Sequence, residues 1–332
     1  MAGNESPILD QLRCDHLVSG HSVLVTSLGG GVSSDVFLIE DGGKRFVVKQ
    51  ALPQLKVKDD WQADTSRNRV EYEFLRYLSR IVPDAAPAVF AAGSDYFAME
   101  YLGSEYRNWK ELLSSGDCQP EHAIRAARIL GTLHRVSFGD PELARRFDTT
   151  PNFHQLRTDP YLLTTGRRHP ALQERFDQEA VRLESTRECL VHGDYSPKNM
   201  LIGNGRTVLL DCEVAWYGDP AFDLAFLLNH LLLKALYHAP HDPGLKGMIG
   251  AFTAAYYDER RMERDGALDS RTATLLLMLL LARIDGKSPV EYLTSAKQDF
   301  VRNFVAARLS ALTSTHEVVR DWFTCLSTRL GE

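Results

Sequence analysis

A surplus of positive charge is missing from this chain. Lys and Arg number 38 against 44 Asp and Glu, a formal balance of -6 over 332 residues. A nucleic-acid partner, which usually demands a basic face, is therefore not expected. Cysteine is sparse as well: the five residues at 14, 118, 189, 212 and 325 form no C-x-x-C pair and are odd in number. Reduced thiols in a cytoplasm are the simplest reading, and no basic segment leading an apolar one marks a secretory signal. Long apolar runs are also lacking. Leu224 to Leu236 is interrupted by Asn229, His230 and Lys234, and Leu275 to Ala282 is too short to span a bilayer, so both are expected to be core helices and no membrane partner is expected. There is no internal repeat or low-complexity linker. What remains, 44% apolar and 25% charged residues, is ordinary globular composition, and the length suffices for two lobes.

The most informative stretch is His192-Gly-Asp-Tyr-Ser-Pro-Lys-Asn199, followed twelve positions later by Leu-Leu-Asp211. An aspartate five residues before an asparagine, with a second aspartate closing an apolar run, is the arrangement kinases use for a catalytic carboxylate and magnesium ligands. Phosphoryl transfer needs an acceptor hydroxyl held in line, its proton taken, and the phosphate charge neutralised. Asp194 is placed to take the proton. Asn199 and Asp211 offer hard oxygens that suit Mg2+. His192 would fix the loop. The alternative is that these are turn residues, since Gly, Asp, Ser, Pro and Asn are what turns are made of. Against it, Met-Leu-Ile and Thr-Val-Leu-Leu flank Gly203-Asn-Gly205-Arg as a β-hairpin would, which brings Asn199 and Asp211 together at the open ends of its strands.

The N-terminal third supplies candidates for gripping ATP. Strands are expected at Val23 to Leu28, from Val36, and from Arg45, with Gly29, Gly30, Gly31 and Ser33 at the first turn, where backbone amides can cover phosphates. The match to G-x-G-x-x-G is partial, because Ser34 holds the third glycine's place. Lys49 ends an apolar strand, where a lysine is costly unless paired. Arg69 to Leu78 reads as an amphipathic helix with Val70, Phe74, Leu75 and Leu78 on one face, and Glu71 is chosen over Glu73 as the partner of Lys49.

The order of these parts along the chain resembles the aminoglycoside phosphotransferase and choline kinase superfamily over roughly residues 20 to 310. His192-Gly-Asp194 is similar to that superfamily's catalytic loop, Phe97 to Gly103 to its hinge, and Ile129 to His134 to a helix that follows. The resemblance implies an α+β, bilobal protein-kinase-like fold, with an antiparallel-sheet N-lobe over 1–100 and a larger, mainly helical C-lobe over 101–332. It further implies that the Glu100 and Leu102 backbones bind the adenine edge. Glu213, two after Asp211, resembles choline kinases and 5-methylthioribose kinase. Asp223, opening an apolar helix, is explained by capping and is compatible with the family role of steadying the catalytic loop. Arg283 resembles a substrate arginine of methylthioribose kinases, although Ala282 stands where those carry a second one; capping its own helix is the alternative.

Phe138 to Thr186, interrupted by Pro141, Pro151, Pro160 and Pro170, is expected to be the least regular region. Arg157, Arg167, Arg168 and His169 are there candidates for an anionic substrate. The expected activity is ATP-dependent phosphorylation of a hydroxyl on a small-molecule acceptor: a sugar, nucleoside-like sugar or amino alcohol. An antibiotic phosphotransferase is the alternative enzyme, and a non-catalytic kinase-fold binding protein the alternative of another class. The sequence leaves the oligomeric state open.

Overall fold

Apolar and β-branched residues alternating between two faces lay down the first sheet. The computed structural model describes residues 7–20, 22–28, 34–51, 67–93, 95–261, 266–311 and 314–329, and the chain divides into two compact units, residues 1–105 and 106–332. In the first unit, β1 (Leu24–Ser27), β2 (Ser34–Asp41) and β3 (Lys44–Ala51) run as an antiparallel meander, and β4 (Val89–Ala92) and β5 (Tyr96–Glu100) complete a sheet of order β1-β2-β3-β5-β4. A helix the sequence reading did not anticipate, α1 (Pro7–Cys14), covers one face: its Ile8, Leu9 and Leu12 pack with Ile39, Phe46, Val48, Tyr96 and Ala98. The period of two along β3 sends Phe46 and Val48 to that face and leaves Lys49 on the other. There it meets α2 (Arg67–Ile81), which buries Glu71, Phe74, Leu75 and Leu78 while Val70 is half-buried.

The second unit is mostly helical. After β6 (Arg107–Asn108) come α3 (Trp109–Ser114), α4 (Pro120–Ser137) and α5 (Pro141–Arg146). Phe138 to Thr186 is not irregular, as expected, but helical through most of its length. Beyond α5, α6 (Thr150–Phe153) runs into a π-helical segment at 154–163 and on into α7 (Thr164–Arg168), and α8 (Gln173–Ser185) follows. Pro170 lies in the turn that separates α7 from α8, as expected, but the other three prolines do not break these helices. Pro141 and Pro151 occupy first turns, where a missing N–H costs nothing, and Pro160 lies inside the π-helical segment, a wide winding that recurs at functional sites.

Two small sheets follow, carrying the motif residues. Strand β7 (Cys189–Val191) pairs with β10 (Trp216–Gly218), and β8 (Met200–Gly203) pairs with β9 (Arg206–Leu209) in a hairpin that β6 extends. Asn204 and Gly205 both have left-handed backbones, as a two-residue hairpin turn requires. The remaining helices are α9 (Ala221–His238), α10 (Leu245–Arg260), α11 (Gly266–Asp285), α12 (Ser295–Ala306) and α13 (Thr315–Arg329). Helices α9 and α11 are apolar nearly all round and buried, which is how a central core helix reads. No helix among the described residues is long and apolar enough to cross a membrane.

Candidate functional site

The loop joining β7 to β8 contains the His192–Asn199 motif, and hydrogen bonds fix it from beneath. Gly193 has a φ of +77°, and a Cβ there would come 2.6 Å from the Val214 carbonyl oxygen, so only glycine fits. The N–H groups of His192 and Gly193 donate to the two carboxylate oxygens of Asp223, at 2.7 and 2.9 Å. Asp223 is therefore not the cap of α9 but its loop anchor; the turn before that helix is closed by Asp219, which accepts from the Ala221 N–H at 3.0 Å. Asp223 is completely buried, as is His134, whose Nε2 lies 3.4 Å from it and whose Nδ1 lies 2.9 Å from the Tyr256 hydroxyl. Buried His192 accepts the Asp194 N–H on Nδ1 at 3.2 Å, and desolvation pushes its pKa down, so the ring is a neutral acceptor.

Asp194 is nearly inaccessible yet ionised. Its carboxylate lies 2.9 Å from the Arg157 guanidinium and 2.9 Å from the Lys198 ammonium. Burial would raise its pKa; the charges of Lys198 and then Arg157 outweigh burial and hold the carboxyl far below the usual range. Arg157 comes from the π-helical segment, where its Nε also donates to the Gly193 carbonyl at 2.6 Å. The other basic candidates in that region are engaged within the protein: Arg167 with Asp159, Arg168 with the carbonyls of Asp285 and Gly286, and His169 with Asp285.

At the open end of the hairpin the Leu210 N–H donates to the Asn199 carbonyl at 2.9 Å, which binds the two arms together below Asn199 and Asp211. The Asn199 side-chain amide donates to the Asp194 carbonyl at 3.0 Å, so its amide oxygen is turned away from that carbonyl. Asp211 has a left-handed backbone (φ 59°), uncommon for a residue with a side chain. It and buried Glu213 bring carboxylate oxygens within 4.8 Å of each other. This all-oxygen set, one amide oxygen and two carboxylates, has the chemistry of a hard divalent cation site.

In the first unit, Lys49 and Glu71 form a buried ion pair of 2.7 Å. Glu73 instead pairs with Arg69 at 3.0 Å. Glu100 ends β5, opposite Phe46, and Leu102 lies in the irregular segment that follows. Gly29, Gly30, Gly31 and Ser33 lie outside the described residues.

Asp194 opens onto a cavity of about 210 Å³ within the second unit. Tyr161, Phe226 and Tyr292 give it apolar walls, and Lys198, Lys234 and Arg283 bring positive charge. Arg283 does not cap its own helix: its guanidinium grips the Ser288 carbonyl and, at 2.8 Å, the Ser288 hydroxyl, fixing the loop that follows α11 while facing the cavity. Sequence reasoning gave no role to Lys198, although it stood in the quoted motif, nor a cavity position to Lys234, although a lysine inside an apolar helix was the available signal. The pairing of Arg157 with Asp194 had none, because the two are remote in sequence.

A family described as "Phosphotransferase enzyme family" matches residues 25–263 of the chain. Methylthioribose kinase from Pectobacterium carotovorum subsp. carotovorum is 28% identical over 271 residues, 73% of this chain and 66% of that protein. The enzyme of the same name from Yersinia pseudotuberculosis is 30% identical over 278 residues, 74% of this chain and 66% of that one. The match thus spans about two thirds of the length of these relatives. Among solved structures, choline kinase from Cryptosporidium parvum Iowa II superposes with a TM-score of 0.56 at 13% identity, covering 98% of this chain and 99% of that one, a likeness of fold.

Proposed function

The chain belongs to the phosphotransferase enzyme family, and we propose that it is an ATP-dependent kinase that phosphorylates a hydroxyl group of a small metabolite. The observation that carries this reading is Asp194: an ionised carboxylate, fixed by its loop, at the wall of a cavity of metabolite size. The acceptor hydroxyl gives its proton to that carboxylate as its oxygen bonds to the γ-phosphorus. The bond from that phosphorus to the β-phosphate oxygen breaks, and its electron pair leaves with ADP. Because its two cations make Asp194 a weak base, its first task is to orient the hydroxyl. The proton moves late, once bonding to phosphorus has made the oxygen acidic.

The nucleotide would be gripped by the first unit. Lys49, aligned by Glu71, would bind the α and β phosphates, and the Glu100 and Leu102 backbones the adenine edge, with Gly29, Gly30, Gly31 and Ser33 as the further candidates for phosphate contact. Asn199 and Asp211 would hold Mg2+, with Glu213 beside them; when bound, the ion neutralises phosphate charge. The methylthioribose kinases among the relatives favour a sugar-like acceptor over an antibiotic. With Lys49, Asp194, Asn199 and Asp211 all present, nothing favours a kinase-fold protein without catalysis.

Release of ADP from Mg2+-ATP in the presence of a metabolite panel tests the reading. Acceptor-dependent turnover that Asp211→Ala abolishes supports it. ATP binding without any turnover would leave a binding protein.

A further inference from the structure

The cavity beside Asp194 carries more positive charge than catalysis explains. Its lining cations are Lys110, Lys198, Lys234 and Arg283, and its carboxylates are Asp194 and Glu291. Lys198 is neutralised by Asp194 at 2.9 Å, and Glu291 is exposed at the edge. Among the described residues no carboxylate pairs with Lys110, Lys234 or Arg283. Lys110, exposed on α3, sits at the rim.

Lys234 is the unusual member. It projects from the C-terminal half of the buried helix α9, is only 5% exposed, and has as neighbours the Ser114 hydroxyl at 2.8 Å and the rings of Tyr292 and Tyr237 at 4.0 and 5.0 Å. A hydroxyl and two ring faces solvate an ammonium only in part, and a buried cation ordinarily has an anion beside it. Arg283, half-buried across the same cavity, uses one terminal nitrogen on Ser288, and its Nε has no hydrogen-bond partner among the described residues. The neighbouring groups register the field. Tyr161 is fully enclosed, which alone would raise its pKa, yet Arg283 and Arg157 draw it below the ordinary value.

We propose that the acceptor is itself an anion: a small hydroxylated molecule whose phosphate or carboxylate group is held by Lys234 and Arg283, with Lys110 at the rim, while its hydroxyl lies at Asp194. This rests on the kinase reading for the role of Asp194 and extends it to the substrate's charge class. An ammonium and a guanidinium are what such an oxyanion requires, the guanidinium matching it in pairs of hydrogen bonds. The same charges repel a polyamine acceptor, which places antibiotic aminoglycosides outside the substrate class.

Two measurements on the full-length protein test the inference. Calorimetric titration with inorganic phosphate and with acetate, without nucleotide, probes the subsite directly. At least one anion should bind, Lys234→Met should weaken it about 10- to 100-fold, the range of a charged hydrogen bond, and Lys234→Arg should restore most of it. Phosphate alone points to a phosphate ester, and acetate as well to an acid. Arg283→Met serves as the second variant if Lys234→Met does not fold. ADP release is then measured with sugars and polyols offered as the neutral compound, its phosphate ester, its acid and its amine. The ester or the acid should give the lowest KM, raised by Lys234→Met while the KM for ATP stays put. Failure of both anions to bind, binding indifferent to Lys234 and Arg283, a KM effect on ATP instead, or preference for the neutral or amine form would overturn the inference. If no acceptor is turned over but anion binding tracks Lys234, the kinase reading fails and the anion site stands.

Discussion

Two lysines of this chain are buried to the same degree, 5% exposed each, and the protein treats them in opposite ways. Lys49, on β3 of the first unit, lies 2.7 Å from the Glu71 carboxylate, so its charge is neutralised within the protein. Lys234, on α9 of the second unit, has a hydroxyl and two aromatic rings but no carboxylate, and burial followed by the charge of Lys110 pulls its pKa from 10.5 to about 8. A buried lysine with a carboxylate beside it has its charge balanced within the protein and can act as a fixed tool. An unpaired one carries a standing desolvation cost that a bound anion would relieve, and that cost marks a binding site better than the lysine itself does.

Asp194 stands between these cases, a carboxylate shared by two cations, and altering it should give the largest effect. Asp194→Asn is expected to lower kcat about 100- to 10,000-fold, since it removes the proton acceptor, while leaving ATP affinity nearly unchanged. It also strips Arg157 and Lys198 of their counter-charge, so inorganic phosphate should bind more tightly to this variant than to wild type. Single-turnover kinetics and calorimetry check both halves; a variant with full kcat would remove Asp194 from the mechanism.

The contrast between the lysines can next be broken directly. Lys49→Met removes the ammonium that lies 2.7 Å from buried Glu71 and should cost about 3–5 kcal/mol of stability, along with nucleotide binding. Lys234→Met removes an uncompensated charge and places a flexible apolar chain among aromatic rings. It should leave the unliganded protein as stable as wild type or more stable, by up to about 1–2 kcal/mol, even as the acceptor KM rises. Denaturant midpoints compare the two variants. Equal destabilisation would mean that Lys234 is held by its neighbours as firmly as Lys49 by Glu71.

How much of this was legible in the sequence follows the same division. The His192–Asn199 loop, the hairpin and the strand ending at Lys49 are local patterns: turn residues at fixed offsets and apolar runs of fixed period, which the chain folds with little outside help. Charge placement exposed the Lys49–Glu71 pair too, because a lysine on an apolar strand demands a partner on the next amphipathic helix. The helical path of Phe138 to Thr186 was hidden, since prolines read as breaks unless they fall in first turns or a π-helical segment, and backbone geometry decides that. The cavity was least legible. Its cations come from α3, α9, the His192–Asn199 loop and the end of α11, and only tertiary packing brings them around Asp194. Asp223 shows the same limit: at the start of an apolar helix it resembles a cap, and only the fold turns it toward the N–H groups of His192 and Gly193.

The effect that reads Lys234 most directly is the dependence of stability on pH. Its folded pKa, about 8, lies below the ordinary 10.5 that the unfolded chain retains. Below pH 8 both states carry the proton and the full cost of the buried charge is present. Between about 8 and 10.5 the unfolded state binds more protons than the folded one, so wild-type stability gains as pH rises through that window, relative to Lys234→Met, and levels off above it. The groups facing Lys234 are Lys110 from α3, Tyr237 from α9 itself, and Tyr292 from the segment after α11, whose pKa burial pushes up to about 12, so the tyrosine stays neutral through the window. A saturating anionic ligand reverses the trend: it favours the protonated lysine, raises its pKa, and binds more weakly as pH passes 8. Thermal melts of wild type and Lys234→Met from pH 7 to pH 10, with and without phosphate, separate the cases. Parallel pH profiles for the two proteins would mean that Lys234 does not titrate there, and its charge would then be neutralised within the fold as that of Lys49 is.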